Sequence, residues 1–242
     1  MARRPTTSRS GRDDGAGDRP TAPRLLRELP RLDLAELDDG EVRDAELFGS
    51  LPPGWDEPLL LSGVRLAGAS LVGASLPRSR FVDVEIVGSD LSGADLEGVA
   101  FTRVAARDAR LSGVQLAWAT WHDVHLVECR LDAVNLARLT AHRLRAERCS
   151  FARADLLMAQ VHGAAWWDCD LSEMDVGQVK LERVQLHGSR LDGLRGALSL
   201  RPVEVDGEQY QVLADALLRE LGVTVTSRPD EDAPPGAGTV PR

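Results

Sequence analysis

At 242 residues, 43% of them apolar, the chain is long enough to bury one substantial core. A net charge of −9 and a pI of about 5.1 disfavour direct nucleic-acid binding, and no run of eighteen apolar residues is present to span a membrane. The start, Met1-Ala-Arg-Arg-Pro5, is charged with no hydrophobic segment behind it, so it does not read as a secretory signal and the expected compartment is the cytoplasm.

Residues 1–22, rich in Arg, Ser, Gly and Asp, are expected to form a disordered tail. Residues 23–58 are expected to form an N-terminal cap. A five-residue beat marks it at Leu32, Leu37, Val42 and Leu47, with Ala35-Glu36-Leu37 and Ala45-Glu46-Leu47 as good copies. The Pro- and Gly-containing stretch Ser50–Pro58 then reads as a loop.

From residue 59 to 196 the beat is unbroken. Every fifth residue from Leu61 to Leu191 is apolar, and 24 of these 27 positions hold Leu, Phe, Ile, Val or Trp; Ala106, Ala141 and Ala146 complete the column. A second column two residues upstream is Ala, Val, Cys or Ser at 23 of 27 places, as at Ala69, Val84, Ala94 and Cys129. A period of five fits neither the 3.6 of a helix nor the 2.0 of a strand. It marks a solenoid, whose short units bury their apolar faces only against their neighbours. Within Gly93-Ala94-Asp95-Leu96-Glu97, Ala94 and Leu96 point the same way in extended backbone, while Asp95 and Glu97 point out. Ten glycines, among them Gly63, Gly113 and Gly193, fall at the junctions, where a positive φ costs them nothing.

The unit resembles that of the pentapeptide-repeat family, A-(D/N)-L-x-x, with clear copies at Ser89-Asp90-Leu91, Ala94-Asp95-Leu96 and Ala154-Asp155-Leu156. The resemblance implies an all-β solenoid: a right-handed, quadrilateral β-helix with twenty residues per turn. Residues 59–196 would make close to seven turns, a rod about 32 Å long at roughly 4.8 Å per stacked strand. Residues twenty apart should then touch and their sizes compensate. Trp121 is followed in its column by Ala141 and Trp166 is preceded by Ala146, while the upstream column swells to Leu139 and Leu144. Leu91, Leu96, Phe101, Trp121, Phe151 and Trp166 are expected to be core.

Residues 197–225 change pattern. Asp206 and Gln209 have capping-box spacing, and Tyr210, Leu213, Leu217 and Leu221 fall on one helical face, ended by Gly222. The helix reads as a cap on the rod or as a homodimer interface; in similar pentapeptide proteins the C-terminal segment pairs two rods. Residues 226–242, with Pro229, Pro234 and Pro235, are expected to be disordered.

Two alignments are candidate sites. Cys129, Cys149 and Cys169 lie twenty apart in the inward column, which suits a stack of buried free thiols better than zinc, whose sites want closer spacings or a fourth ligand. His122, His142 and His162 lie on one outward column at about 4.8 Å spacing, a surface stack or a ladder for a transition metal. No catalytic motif, phosphate loop or cofactor fingerprint is present, so the chain is not expected to be an enzyme.

For function, the resemblance implies two readings. One is an interaction scaffold for an unidentified protein partner. The other is a rod that imitates DNA and binds DNA gyrase or a related type II topoisomerase, conferring quinolone resistance or self-protection. Val203–Gln209 looks like the end of the mycobacterial member of that group. Charge opposes the second reading, because residues 59–196 hold sixteen Lys and Arg against seventeen Asp and Glu, whereas 32 Å of DNA presents roughly nineteen negative charges. The stacking itself is testable: Ala141→Leu should overpack the rod and cost about 1–3 kcal/mol in urea unfolding, and an unchanged midpoint would contradict the twenty-residue register.

Overall fold

The computed structural model describes residues 19–226. At each of the twenty-seven junctions from Gly63 to Gly193, the residue two places after the inward Leu-type position has a positive φ. Ten are the glycines. The other seventeen are Arg, Asp, Glu, Gln, Ala, Met and Trp, with φ between 52° and 60°. None is β-branched, the class for which this region is a genuine outlier. Four such corners in each twenty residues close the chain into a four-sided coil.

The strands are β1 (Arg31–Asp33), β2 (Glu41–Arg43), β3 (Glu46–Ser50), β4 (Leu60–Ser70), β5 (Arg80–Val87) and β6 (Ala100–Arg107). They continue as β7 (Thr120–Val127), β8 (Thr140–Glu147), β9 (Gln160–Trp167), β10 (Lys180–Gln185) and β11 (Val203–Glu204), before helix α1 (Tyr210–Glu220). All pair in parallel in the order β1-β3-β4 through to β11, with β2 also on β4. From β4 to β10 the register is twenty residues, as in Phe81↔Phe101 and Trp121↔Ala141. Each strand from β5 to β9 wraps one corner and covers two sides. The other two sides are joined by single bridges, such as Ser70↔Asp90 and Ser75↔Asp95. With the N-terminal turn the solenoid has about eight turns.

Both inward columns fill the core. In the Leu-type column Leu181 alone is half-buried, and in the upstream column Ala74 alone. Phe81, Phe101 and Trp121 stack down one side at centroid distances of 5.2 and 5.7 Å, and Ala141 lies next below them. Leu91, Leu96, Phe151 and Trp166 are buried, as are Leu139 and Leu144 beside the small Ala141 and Ala146. The Asp or Asn before an inward Leu or Val serves the backbone. Its side chain accepts the N–H two residues on, at 2.8–3.0 Å, in Asp90, Asp95, Asn135, Asp155, Asp170 and Asp175. These are Asx turns, which explain an outward acid at that place in the unit without invoking a ligand.

The two ends depart from the beat. At the N-terminal end Leu32 is 42% exposed and Leu34 takes the inward place, because a short 3-10 turn over Leu34–Glu36 shifts the phase of the first unit. At the C-terminal end the Gln209 amide donates to the carbonyls of Leu186 and Ser189, and the Glu220 carboxylate accepts the N–H groups of Ala197 and Leu198. Helix α1 docks through Val212, Leu213, Ala216 and Leu217. Tyr210 and Leu221, expected on the docked face, are 71% and 61% exposed: contact centres on small Ala216, and the helix ends reach past it. The segment expected to be disordered beyond Thr226 lies outside the described residues.

Ala133 is an exposed corner at φ 53°. Ala133→Gly should stabilise the protein by about 0.5 kcal/mol, because relief of about 1–2 kcal/mol in the left-handed region exceeds the added unfolded-chain entropy of about 0.4–1 kcal/mol. Gly196 combines φ 78° with a position where a Cβ would overlap the backbone of Gly177, so Gly196→Ala should lose at least about 2 kcal/mol. Urea midpoints moving in the same direction would defeat this account.

Candidate functional site

The twenty-residue register sorts the surface into four sides. Side one is centred on Phe81, Phe101, Trp121, Ala141 and Val161; side two on Ile86, Ala106, Leu126, Ala146 and Trp166. Side three is centred on Leu91, Leu111, Leu131, Phe151 and Leu171, and side four on Leu96, Leu116, Leu136, Leu156 and Val176. Between residues 59 and 196, side one carries five basic and three acidic residues, sides two and three each carry four and five, and side four carries three and four. No side is strongly acidic.

The acids are also engaged. Arg103 holds Asp83 through two hydrogen bonds of 2.6 Å, and Arg143 holds Asp123 at 2.6 and 2.7 Å. Arg65–Glu85 and Arg148–Glu128 are pairs of 2.9 Å, and Arg190–Asp170 one of 3.3 Å, each linking successive turns. The guanidinium groups of Arg103 and Arg143 hold Asp83 and Asp123 below the usual carboxylate range.

Asp83 and Asp123 also fasten the N-terminal segment. The Thr21 N–H donates to Asp123 Oδ1 at 2.9 Å and the Arg24 N–H to Asp83 Oδ1 at 3.0 Å. Two turns of the rod span ~9.6 Å and three extended residues ~10 Å, so the segment lies along the corner between sides one and two. Thr21, within the tail expected over residues 1–22, is thus held to the rod through its backbone N–H although its side chain is exposed; residues 1–18 lie outside the described residues.

The His column lies on side one. The His122 and His142 rings stack at 4.8 Å between centroids with parallel planes, and His142 and His162 at 4.9 Å within 9° of parallel. His162 Nδ1 is 3.0 Å from Glu182 Oε2, one turn further on. Nitrogen lone pairs lie in the ring plane, so parallel rings aim them along parallel lines, which do not converge on one ion. Burial, followed by the neighbouring His122, His162 and Arg143, holds His142 below the usual imidazole range.

Cys129, Cys149 and Cys169 are buried and free. The Cys129 thiol is pushed up by contact with the Cys149 thiol and by burial. At Cys149 the contact with Cys129 lowers the pKa, but contact with Cys169 and burial outweigh it and push the thiol up to about 12. Both are protonated at neutral pH and are poor nucleophiles.

Residues 60–98 match the family model for pentapeptide repeats in eight copies, and the same unit and register continue through the fold to Leu191. This is a pentapeptide-repeat protein. Among solved structures, full-length QnrB1, a plasmid-mediated fluoroquinolone resistance protein, is 18% identical to this pentapeptide-repeat chain, with a TM-score of 0.40, covering 78% of this chain and 94% of its own. HetL of the cyanobacterium Nostoc sp., a pentapeptide repeat protein involved in heterocyst differentiation regulation, is 18% identical with a TM-score of 0.29, covering 74% and 88%. No curated protein matches the sequence. At these TM-scores the likenesses carry no argument about a partner.

The fold thus brings each of the two columns seen in the sequence into one stack. The Asp83–Arg103 and Asp123–Arg143 corner had a signal that sequence reasoning passed over, namely alternation of acid and base at twenty-residue steps. The His stack has a consequence in solution. Because His142 titrates lower in the folded chain than unfolded, its contribution to stability is present above pH of about 6.5 and is lost as pH falls through its depressed value. Urea unfolding should show stability dropping from pH 7 to pH 5, and His142→Gln should flatten that slope. An unchanged slope would remove His142 as its source.

Proposed function

We infer that this pentapeptide-repeat protein is a non-catalytic scaffold that binds another protein. The observation that carries this reading is the rigid presentation of outward columns. Every outward side chain sits at a fixed rung on a core-filled coil, with ion pairs between successive rungs of a column, so a partner meets a surface already in its bound shape. The burial of all three thiols, two of them with raised pKa values, and His rings that do not converge support a role without covalent or metal chemistry. Among the described residues no helix is long and apolar enough to cross a membrane.

The DNA-imitating reading, with DNA gyrase as partner, requires a continuous acidic side at about one charge per 1.7 Å. The balanced sides and the Arg-bound carboxylates weigh against it. A second copy of the chain is better supported as an additional partner, since Leu198, Tyr210, Leu221, Val223 and Val225 all expose apolar surface at the C-terminal end.

Purified protein titrated into a gyrase supercoiling reaction, with and without a fluoroquinolone, is expected to change nothing even in large excess. Inhibition or drug protection at low micromolar levels would put the DNA-imitating reading first. In parallel, a partner captured by cross-linking, then purified, should bind in a saturable calorimetric titration; absence of any stoichiometric partner would sink the scaffold reading. Light scattering on the same sample reads the mass, and a mass of one 26.2 kDa chain at all concentrations would end the case for pairing.

A further inference from the structure

Ten of the sixteen basic residues between 59 and 196 make ion pairs with acids. Six make none among the described residues: Arg78, Arg80, Arg107, Arg138, Arg153 and Lys180. Four of these six line a single edge of the rod, the corner where side four meets side one.

Two columns form that edge. One is the corner itself, Arg78, Gly98, Trp118, Arg138, Met158 and Gln178, in which successive residues are joined to the turn below by their backbone N–H groups. The other opens side one: Arg80, Ala100, Thr120, Thr140, Gln160 and Lys180. Not one of these twelve positions is Asp or Glu, on a rod that otherwise interleaves the two signs. The edge has an apolar centre. Trp118 is 58% exposed, and the Arg138 guanidinium lies 4.6 Å from its ring centroid. Leu157 is 36% exposed beside Met158. Trp, Arg and Met are the side chains enriched where protein interfaces hold their energy. Stacked against Arg138, the indole is held in place before a partner arrives.

We propose that this edge is a docking site for an acidic segment of another protein, extended along the rod and anchored by an apolar residue on Trp118. This deepens the scaffold reading and rests on it. The spacing sets the segment's pattern. From Arg78 to Gln178 is five rungs, ~24 Å, or about seven extended residues. Its carboxylates meet Arg78 and Arg80 at one end and Arg138 and Lys180 toward the other. Its middle crosses the uncharged Gly98, Ala100 and Thr120 and meets Trp118, on whose ring the Arg138 guanidinium rests. A nucleic-acid backbone fits less well, since its evenly spaced phosphates would cross that uncharged stretch and the chain as a whole carries −9.

The test is fluorescence anisotropy with the full chain and a fluorescein-labelled twelve-residue peptide bearing Asp and Glu at both ends and Leu-Phe-Leu in the centre. Controls are the same peptide with Lys replacing the acids and a twelve-nucleotide oligothymidylate. Saturable binding of the acidic peptide is expected. It should weaken tenfold or more in Arg78→Glu/Arg80→Glu and in Trp118→Ala, and fall with added salt. These side chains are exposed, so a thermal melt matching wild type verifies that the variants fold. Arg107→Glu, an unpaired cation on side two, should bind as wild type does. Equal binding by all variants, equal binding of the basic peptide, tighter binding of the oligonucleotide or no binding at all would each overturn the site. Those results leave the scaffold reading standing if a captured partner binds Trp118→Ala as well as wild type, which would place the contact elsewhere on the rod.

Discussion

Everything in this rod follows from a left-handed residue at every fifth position. One such residue turns the chain by a quarter; four of them bring residue i+20 directly beneath residue i. That closure puts Phe81 on Phe101 and Trp121 on Ala141, and allows two columns of apolar side chains to fill a core with no helix in it. The corner tolerates Arg, Asp or Trp as well as glycine because the stacked backbone hydrogen bonds above and below hold it in place. The steric cost at each non-glycine corner is of the order of 1–2 kcal/mol, and its recurrence at seventeen positions shows how firmly the ladder sets the local conformation.

Stacking also determines what the outward residues can be. A charge on one rung lies about 4.8 Å from its neighbours on the rungs above and below, so a column of like charges would repel along its whole length. Alternation relieves this, and Asp83, Arg103, Asp123 and Arg143 show it in its most complete form. The His column replaces fixed charges with stacked rings and ends on an acid, Glu182, while burial and its neighbours hold His142 below the usual imidazole range. Where columns are not internally balanced, as between sides four and one, their charge remains for something outside the chain.

Much of this was readable from residue order alone, because a strict period makes each position report on twenty-six others. The turn length, the core columns, the trade of Trp121 against Ala141 and the burial of the three cysteines all depend only on that period. What escaped notice depends on contacts without one. The segment at Thr21–Arg24 has no apolar pattern; it is fixed by its backbone N–H groups, which every residue carries. Tyr210 and Leu221 have the right helical phase, but phase says nothing about how far a docking surface extends. The seventeen non-glycine corners were hidden for the opposite reason: glycine is an easy signal, and the residues that bear the strain are ordinary ones.

The twenty-residue closure also bears on how such a chain can change its length. Removing twenty residues would shorten the rod by one storey and leave every column above and below on its own side. Removing five would keep the core beat intact, yet rotate everything downstream by a quarter turn, carrying the His column off its side and breaking each Arg–Asp rung at the seam. The fold forgives a loss of five, but the surface is quantised in twenties.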